Sequence, residues 1–287
     1  MREFIITVNS TCDLPEEWLI SHQVPFLKLK YHLGDKTYTD MGEQSPKEFF
    51  GLLRAGEMPT TSQVNPEEAR EFFEPLVKEG KDILHIAFSS GLSGTCNSMM
   101  MAARDLEEDY PGAKVTVIDS LCACMGEAIM LRYALEQKEA GKSMAEISQW
   151  VEDNKLRVNH VFTVDDLNHL KRGGRVSSVA AAVGSLMKVK PILFMNNQGG
   201  LEPYAKERGR KKALNKIAEI VAEGITDKKM VMIAHGDCLE DAEYVRDLIR
   251  EKTGVEDIMI NFVGSVIGSH TGAGLITVFF MGDKRFS

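Results

Sequence analysis

The sequence predicts a two-domain α/β protein, with a parallel-sheet N-terminal domain and a mixed α/β C-terminal domain. Short apolar runs that lead through a polar loop into a helix occur three times in the first half of the chain, and such units build parallel sheets covered on both faces. The length of 287 residues favours two domains or one large one. After residue 156 this alternation changes, so we predict domains at 1–156 and 157–287.

The N-terminal elements are predicted from apolar runs and helix-start signals. The run 4–8 ends in a polar turn, and Pro15 with two glutamates opens a helix. A strand at 83–88 leads through the loop 89–95 into a second helix, and a strand at 115–118 leads into a helix over about 122–139. One face of the second helix carries apolar side chains, which are Cys96, Met99, Met100, Ala103 and Leu106.

Two further helices, at 46–54 and 67–78, are predicted between the first and second units. We expect Pro75 to kink or shorten the second of them. The polar loop 59–66 has a proline at each end, so we expect it to lack regular structure and to leave side-chain donors free.

The C-terminal half is predicted to contain a hairpin followed by a new alternation of helices and strands. The predicted elements are a helix at 144–155, a strand at 160–163, a basic turn at 171–175, a small-residue helix to Met187, paired strands at 191–195 and 201–204, helices at 210–223 and 239–252, strands at 229–234, 257–262 and 275–280, and a glycine loop at 264–274.

Charge and cysteine content exclude several classes of protein. The chain has 34 basic and 42 acidic residues, a net charge of −8, and so lacks the positive field that binding to nucleic acid requires. The five cysteines show no zinc-site spacing and favour reduced thiols in a cytoplasmic protein. No signal peptide is indicated, and the longest small-residue stretch, 176–187, is too short to span a bilayer. Any membrane contact is therefore expected to be peripheral and transient.

The loop 89–95, SSGLSGT, suits an anionic ligand. It lies at the carboxyl end of a predicted parallel strand, where such sheets bind ligands. Gly91 and Gly94 let backbone N–H groups converge, Ser93 offers a hydroxyl, and the following helix adds partial positive charge. The alternative is that Ser93 or Thr95 only caps the helix.

Two other polar segments have both a structural and a functional interpretation. The hydroxyls of 60–62 often satisfy their own backbone in such loops. His270, which lies in a glycine loop between two predicted strands, is either a structural histidine or a donor to a bound anion. Ser93 and His270 are also compatible with a catalytic dyad.

Local basic clusters occur on this acidic chain. Arg208, Arg210 and two lysines crowd a predicted helix start, where cations oppose the helix dipole, and Arg172 and Arg175 lie in a basic turn. These clusters indicate either an acidic partner or solvated surface charge.

Taken together, these segments resemble the DegV-like fatty-acid-binding family. The resemblance rests on seven motifs in the expected order, which are TVNSTCDL at 7–14, TSQ at 61–63, SSGLSGT at 89–95, LKRGGRVS at 170–177, KPIL at 190–193, RGRKKA at 208–213 and GSHTG at 268–272. Two positions differ from the family pattern: Asn9 stands where Asp is usual and Ala273 where Pro is common.

The resemblance implies a non-enzymatic carrier that encloses one long-chain fatty acid between loops of both domains, without a metal or other cofactor. The hydroxyls of Thr61 and Ser93 would hold the carboxylate, with Gly94 and His270 beside them. The family also implies a separate ATP-dependent fatty acid kinase as partner, which converts the presented acid to an acyl phosphate for phospholipid synthesis.

Several finer assignments stay predictions at this point. Arg172, Arg175, Arg208 and Arg210 would form a docking patch for an acidic kinase surface rather than a ligand site. The residues 99–101 and 180–182 either line an acyl tunnel or pack in the core. The alternative function is a serine-dependent acyl hydrolase that uses Ser93 and His270.

Overall fold

The computed structural model describes residues 2–175 and 189–286. Within these residues there are a four-stranded parallel sheet, a six-stranded mixed sheet and a three-stranded antiparallel sheet. The predicted fold class, with a parallel sheet followed by a mixed one, is confirmed. The small-residue helix predicted to end at Met187 and the tunnel candidates at 180–182 lie outside the described residues.

The described strands and helices are as follows. The strands are β1 (Phe4–Asn9), β2 (Phe26–Leu27), β3 (Lys30–Leu33), β4 (Lys36–Thr39), β5 (Thr60–Ser62), β6 (Asp82–Ala87), β7 (Val115–Asp119), β8 (Val158–Thr163), β9 (Val189–Met195), β10 (Leu201–Arg208), β11 (Asp227–His235), β12 (Ile258–Phe262) and β13 (Ile276–Met281). The helices are α1 (Glu16–Ser21), α2 (Pro46–Arg54), α3 (Pro66–Lys78), α4 (Thr95–Asp109), α5 (Met125–Glu139), α6 (Met144–Asn154), α7 (Leu167–Arg172), α8 (Arg210–Gly224), α9 (Leu239–Thr253) and α10 (Ser265–Thr271).

The parallel sheet has the strand order β2-β1-β6-β7. Its register places Val8 opposite Ile86 and Ile86 opposite Ile118. Because all four strands run the same way, the segments that follow β1, β6 and β7 all emerge at one edge of the sheet. That edge is where open parallel sheets bind ligands, and here it faces the second half of the chain.

The mixed sheet has the order β10-β9-β8-β13-β11-β12 and is antiparallel except between β11 and β12. Helices α8 and α9 cover one face and enclose an apolar cluster that includes Ile217, Val245 and Phe280. The predicted domain boundary at residue 156 falls in a 3₁₀ turn, Lys155–Arg157, between α6 and β8.

Helix α5 packs against both large sheets. It contacts β1 and β6 on one side and β8, β11 and β13 on the other. Its buried residues surround the helix, including Met125, Ala128, Ile129 and Leu131, as expected for a helix enclosed by the core. The two halves of the chain are therefore joined by a shared apolar core.

The prediction that residues 59–66 lack regular structure is wrong for β5. The backbone of Thr60, Thr61 and Ser62 pairs antiparallel with β3, which also pairs with β4. Regular pairing arises because a strand needs only backbone donors and acceptors, and only Pro59 and Pro66, which lie outside β5, lack the N–H.

The prediction of a glycine loop at 264–274 is wrong in its centre. Residues 265–271 form α10, whose first amides donate to carboxylates far away in the sequence. Likewise, the predicted basic turn begins as the end of α7, which contains Lys171 and Arg172.

Pro75 does not shorten α3, which continues to Lys78. Asn65 and Glu68 form a capping box at the start of this helix, with Pro66 in its first turn, an arrangement that favours helix initiation. Pro75 lacks the N–H that would donate to the Glu71 carbonyl, yet the helix continues for three more residues.

In the part of the chain that the structure covers, no helix combines the length and apolar character needed to cross a bilayer.

Candidate functional site

A cavity lies between the parallel-sheet edge and the mixed sheet. Its empty space is about 850 Å³, part of which is open to solvent. Apolar side chains from both halves form most of its wall, including Phe88, Leu92, Ala123, Phe162, Met195, Leu201, Ile267 and Phe279. A polar group of side chains lies at Thr61, Ser62, Gln63, Ser93, Arg175 and His270.

The central polar contact joins Thr61 to His270. Thr61 is half-buried on β5 and His270 is half-buried near the end of α10. The Thr61 Oγ1 lies 2.8 Å from the His270 Nε2. The structure thus brings together two candidate residues that are 209 positions apart in the sequence.

His270 is held as a neutral imidazole. Burial, followed by the positive charge of Arg175, lowers the pKa of His270 to about 4. Among the described residues, the buried Nδ1 has no hydrogen-bond partner, and a Cβ added to Gly173 would lie 2.2 Å from this nitrogen. Because an unpaired donor is costly in such a place, we assign the proton to Nε2, which then donates to the Thr61 hydroxyl.

Ser93 lies in the loop before α4 and lines the same cavity. Its Oγ accepts from the Thr95 N–H at 3.2 Å and lies 3.0 Å from the Thr95 Oγ1, which itself accepts from the Val64 N–H at 3.2 Å. With Thr95 donating to Ser93, the Ser93 proton remains free for a ligand in the cavity.

Gly94 makes room for Gln63 rather than for a ligand directly. A Cβ at residue 94 would lie 2.2 Å from the Gln63 Oε1. Gln63, which lines the cavity, was not among the residues selected from the sequence. In the sequence, Gln63 follows Thr61 and Ser62 and precedes the helix start at Pro66, and this position by itself did not indicate a role in binding.

The four arginines occupy different environments. Arg172 and Arg208 are exposed, at the ends of α7 and β10. Arg175 is exposed but lines the cavity, and its Nε donates to the Leu92 carbonyl at 3.3 Å. The separation of these cations from the ligand site therefore fails for Arg175.

Arg210 is already engaged. Its Nε donates to Asp241 at 2.8 Å, and its guanidinium lies 3.5 Å from Asp165. These carboxylates offset the unfavourable position of Arg210 at the helix start.

Within the part of the chain that the structure describes, the methionines at 99–101 are not part of the cavity wall. Met99 is fully buried in the core, whereas Met101 is 45% exposed on the opposite side of α4. Core packing, the alternative considered for these residues, holds for Met99.

Among the described residues, no group of three or more His, Cys, Asp or Glu side chains is arranged to hold a metal ion. The polar end of the cavity instead presents two hydroxyls, a neutral imidazole and a guanidinium. Such a set can donate hydrogen bonds to an anion and supply positive charge to it.

Comparisons with known proteins agree with this architecture. The family model described as "Uncharacterised protein, DegV family" matches residues 3–283. A DegV domain-containing protein of Clostridium perfringens is 46% identical over 289 aligned positions, which cover 99% of each chain.

Two solved structures are similar over nearly the whole fold. A fatty-acid-binding DegV family protein from Thermus thermophilus has a TM-score of 0.87 and 31% identity, covering 98% of this chain and all of the other. A stearic acid-binding protein from Eubacterium ventriosum has a TM-score of 0.89 and 25% identity, covering 97% and 98%. On the strength of the near-complete family match and these relatives, the chain belongs to the DegV family.

Proposed function

We propose that this protein binds one long-chain fatty acid without covalent attachment and presents it to a separate ATP-dependent kinase. The observation that carries the proposal is the cavity itself, which is apolar along most of its wall and polar at Thr61, Ser93, Arg175 and His270. The fatty-acid-binding relatives with the same fold support it.

The hydrogen-bond pattern favours a carboxylate at the polar end. The Thr61 hydroxyl oxygen accepts from the His270 Nε2–H, and the Ser93 hydroxyl oxygen accepts from the N–H and the hydroxyl of Thr95. With Thr95 as the donor to Ser93 and His270 as the donor to Thr61, both hydroxyl protons are available to an acceptor in the cavity, and Arg175 supplies positive charge at the cavity wall. A carboxylate accepts such bonds without needing to donate any.

The apolar wall provides most of the affinity. Each buried methylene contributes up to ~0.8 kcal/mol, so a long acyl chain binds strongly even if the head-group contacts add only a few kcal/mol. The polar end then sets the direction of the acid, with its carboxylate at the hydroxyls and Arg175.

The kinase partnership rests on the family resemblance and on exposed charge. The kinase would transfer the ATP γ-phosphoryl group to the carboxylate oxygen, giving an acyl phosphate and ADP. Arg172 and Arg208 are the exposed members of the predicted docking patch, and Arg210 supports it through Asp165 in the segment just before α7. Arg175 lies where this surface meets the cavity.

The hydrolase alternative lacks a supporting contact. The Ser93 Oγ is bonded to Thr95 and the His270 Nε2 to Thr61, whereas a dyad needs His to accept the Ser proton. With Nε2 protonated, His270 presents no free lone pair on that side.

Mass spectrometry of an organic extract from the purified protein tests the ligand class. We expect an intact, unesterified long-chain fatty acid at close to one equivalent. Absence of bound acid, together with no binding of added acid, would refute the carrier function. Release of acid from an ester, with covalent labelling of Ser93 by an activated serine reagent, would establish the hydrolase instead.

Charge reversal tests the docking surface. Arg172→Glu should slow acyl phosphate formation by the kinase and leave fatty-acid affinity unchanged, because rim charges act mainly on encounter. Arg104→Glu, which reverses an exposed charge on α4, is the matched control. Equal rates for the two variants at low salt would contradict the docking assignment.

A further inference from the structure

Helix α10 belongs to the second half of the chain, but residues of the first half hold its start. The Gly264 N–H donates to the Asp13 Oδ1 at 2.9 Å, and the Ser265 N–H donates to the Asp40 Oδ1 at 2.8 Å. Asp13 follows β1 and Asp40 follows β4. Both carboxylates therefore cap α10 from the opposite domain.

Further hydrogen bonds hold the side chain of Asp40 and the backbone of Asp13. Asp40 accepts from the Ser10 hydroxyl at 3.0 Å, and the Asp13 carbonyl accepts from the Asn261 side chain at 2.8 Å. Both aspartates are only 1% exposed, and burial raises the pKa of each, with the neighbouring charge of Asp40 adding to the rise for Asp13.

The side chains of Asp13 and Asp40 pack closely against Gly264. A Cβ at this residue would lie 2.6 Å from the Asp13 Oδ1 and 2.9 Å from the Asp40 Oδ1. The backbone angle of Gly264 is an ordinary φ of −65°, so local conformation does not require glycine here. Glycine is required because the carboxylates of Asp13 and Asp40 approach this residue so closely.

The remainder of α10 is equally constrained. At Gly268, a Cβ would lie 2.9 Å from Phe49 and 3.0 Å from Phe50, so α2 packs directly on the helix backbone. The helix has only seven residues, a length of about 10 Å. In so short a rigid element, the placement of the first turn determines the placement of the last turn, which carries His270.

We propose that Asp13 and Asp40 are positioning residues for the head-group site, which fix α10 and thereby set the His270 imidazole against Thr61. They act through His270 and do not line the cavity. The proposal rests on the proposed fatty-acid function only for its effect on affinity. Its effect on the imidazole can be measured without any ligand.

The first experiment records the side-chain nitrogen and carbon-bound proton NMR signals of His270 in the ligand-free protein. Asp40→Ala removes the acceptor of Ser265, and we expect these signals to shift or broaden. Asp40→Asn keeps an acceptor oxygen, with Ser10 able to accept from the new amide, and should restore the wild-type signals. Ser143→Ala, which removes the cap of the distant helix α6, should weaken the fold without changing them.

A second variant covers the case in which Asp40→Ala does not fold. Gly264→Ala keeps both carboxylates but forces them away from the helix start, and should give the same change at His270. Gly51→Ala is its control, because an added Cβ there meets nothing within 4 Å. Wild-type His270 signals in Gly264→Ala would overturn the proposal.

Affinity for a fatty acid provides an independent measurement. We expect Asp40→Ala to raise the dissociation constant at least fivefold in the wild-type background and by less than twofold when His270 is already alanine. Non-additivity of this kind identifies residues that act on one element. Equal losses in both backgrounds would overturn the positioning role, whereas failure of the wild-type protein to bind any fatty acid would refute the proposed function and leave the NMR test valid.

Discussion

Gly173→Ala is the sharpest test of the head-group geometry. Residue 173 has φ and ψ of −66° and −14°, which alanine adopts without strain. Its added Cβ would lie 2.2 Å from the His270 Nδ1, whereas ordinary contact begins at 3.4 Å. The imidazole must therefore move by about 1.2 Å, or the chain at residue 173 must give way by the same amount.

The direction of this movement determines the result. Nδ1 and Nε2 lie on opposite sides of the ring, so moving Nδ1 away from residue 173 drives Nε2 towards the Thr61 hydroxyl, which is already at 2.8 Å. The ring cannot approach further and has to rotate out of the site. Thr61 then loses its internal donor and its fixed orientation towards the carboxylate.

Loss of this hydrogen bond at a desolvated carboxylate costs ~1 to 3 kcal/mol, or roughly five- to hundredfold in the dissociation constant. Competition against a fluorescent fatty acid measures it, with Gly51→Ala as the control. The corresponding fatty alcohol should be affected much less. If Gly173→Ala binds the acid with wild-type affinity and His270 keeps its NMR signals, our account of the Thr61 and His270 contact is wrong.

Three further predictions concern the hydroxyls of the cavity, the buried Glu127 and the exposed Arg172. Thr61→Ala and Ser93→Ala should each weaken binding of a fatty acid by ~1 to 3 kcal/mol in calorimetry and leave the fatty alcohol nearly unchanged; equal losses for both ligands would argue against a carboxylate at these hydroxyls. Burial, above all, raises the pKa of Glu127 well above its ordinary value of 4.5. The folded state therefore retains a proton that the unfolded state releases. The free energy of unfolding should fall as pH rises above about 4.5, by up to ~1.4 kcal/mol per pH unit. Glu127→Gln should reduce that slope in urea unfolding, with Asp13 and Asp40, whose pKa values burial also raises, still contributing; an unchanged slope would contradict the raised pKa. The difference in kinase turnover between Arg172→Glu and the wild type should become smaller at high salt, because the wild-type reaction also slows there. A wild-type rate that does not change with salt would contradict docking guided by charge.

The sequence predicted those elements whose stability depends on local pattern. Apolar runs such as 83–88 and amphipathic stretches such as 46–54 correspond to β6 and α2 because each element buries its own face. The hairpin of β9 and β10 was predicted for a similar reason, since the glycines at 199–200 lie in the turn between them.

The elements that were missed depend on distant partners. Strands β3, β4 and β5 are short and largely polar, and they form because they pair with one another. Helix α10 has few of the usual helix-start signals, and its cap is supplied by Asp13 and Asp40, more than 200 positions away. No local pattern can report acceptors that the folded chain brings together.

The candidate head-group residues come from the motif resemblance, whereas their contacts come only from the structure. Thr61, Ser93 and His270 line the same cavity, but the contact of Thr61 with His270, 209 positions apart, is a property of the tertiary structure. Arg175 and Gln63 line the cavity without a sequence signal that separates them from surface residues.

The contact between Thr61 and His270 has a consequence for the order of folding. His270 follows all of the parallel sheet in the sequence, so a nascent chain or a folding intermediate that lacks β13 and α10 has no complete candidate head-group site. Contacts of such long sequence separation are slow to form. Under the proposed function, a fatty acid binds only molecules that have completed this contact, and it should chiefly slow their unfolding, because it dissociates when the last-formed contacts open.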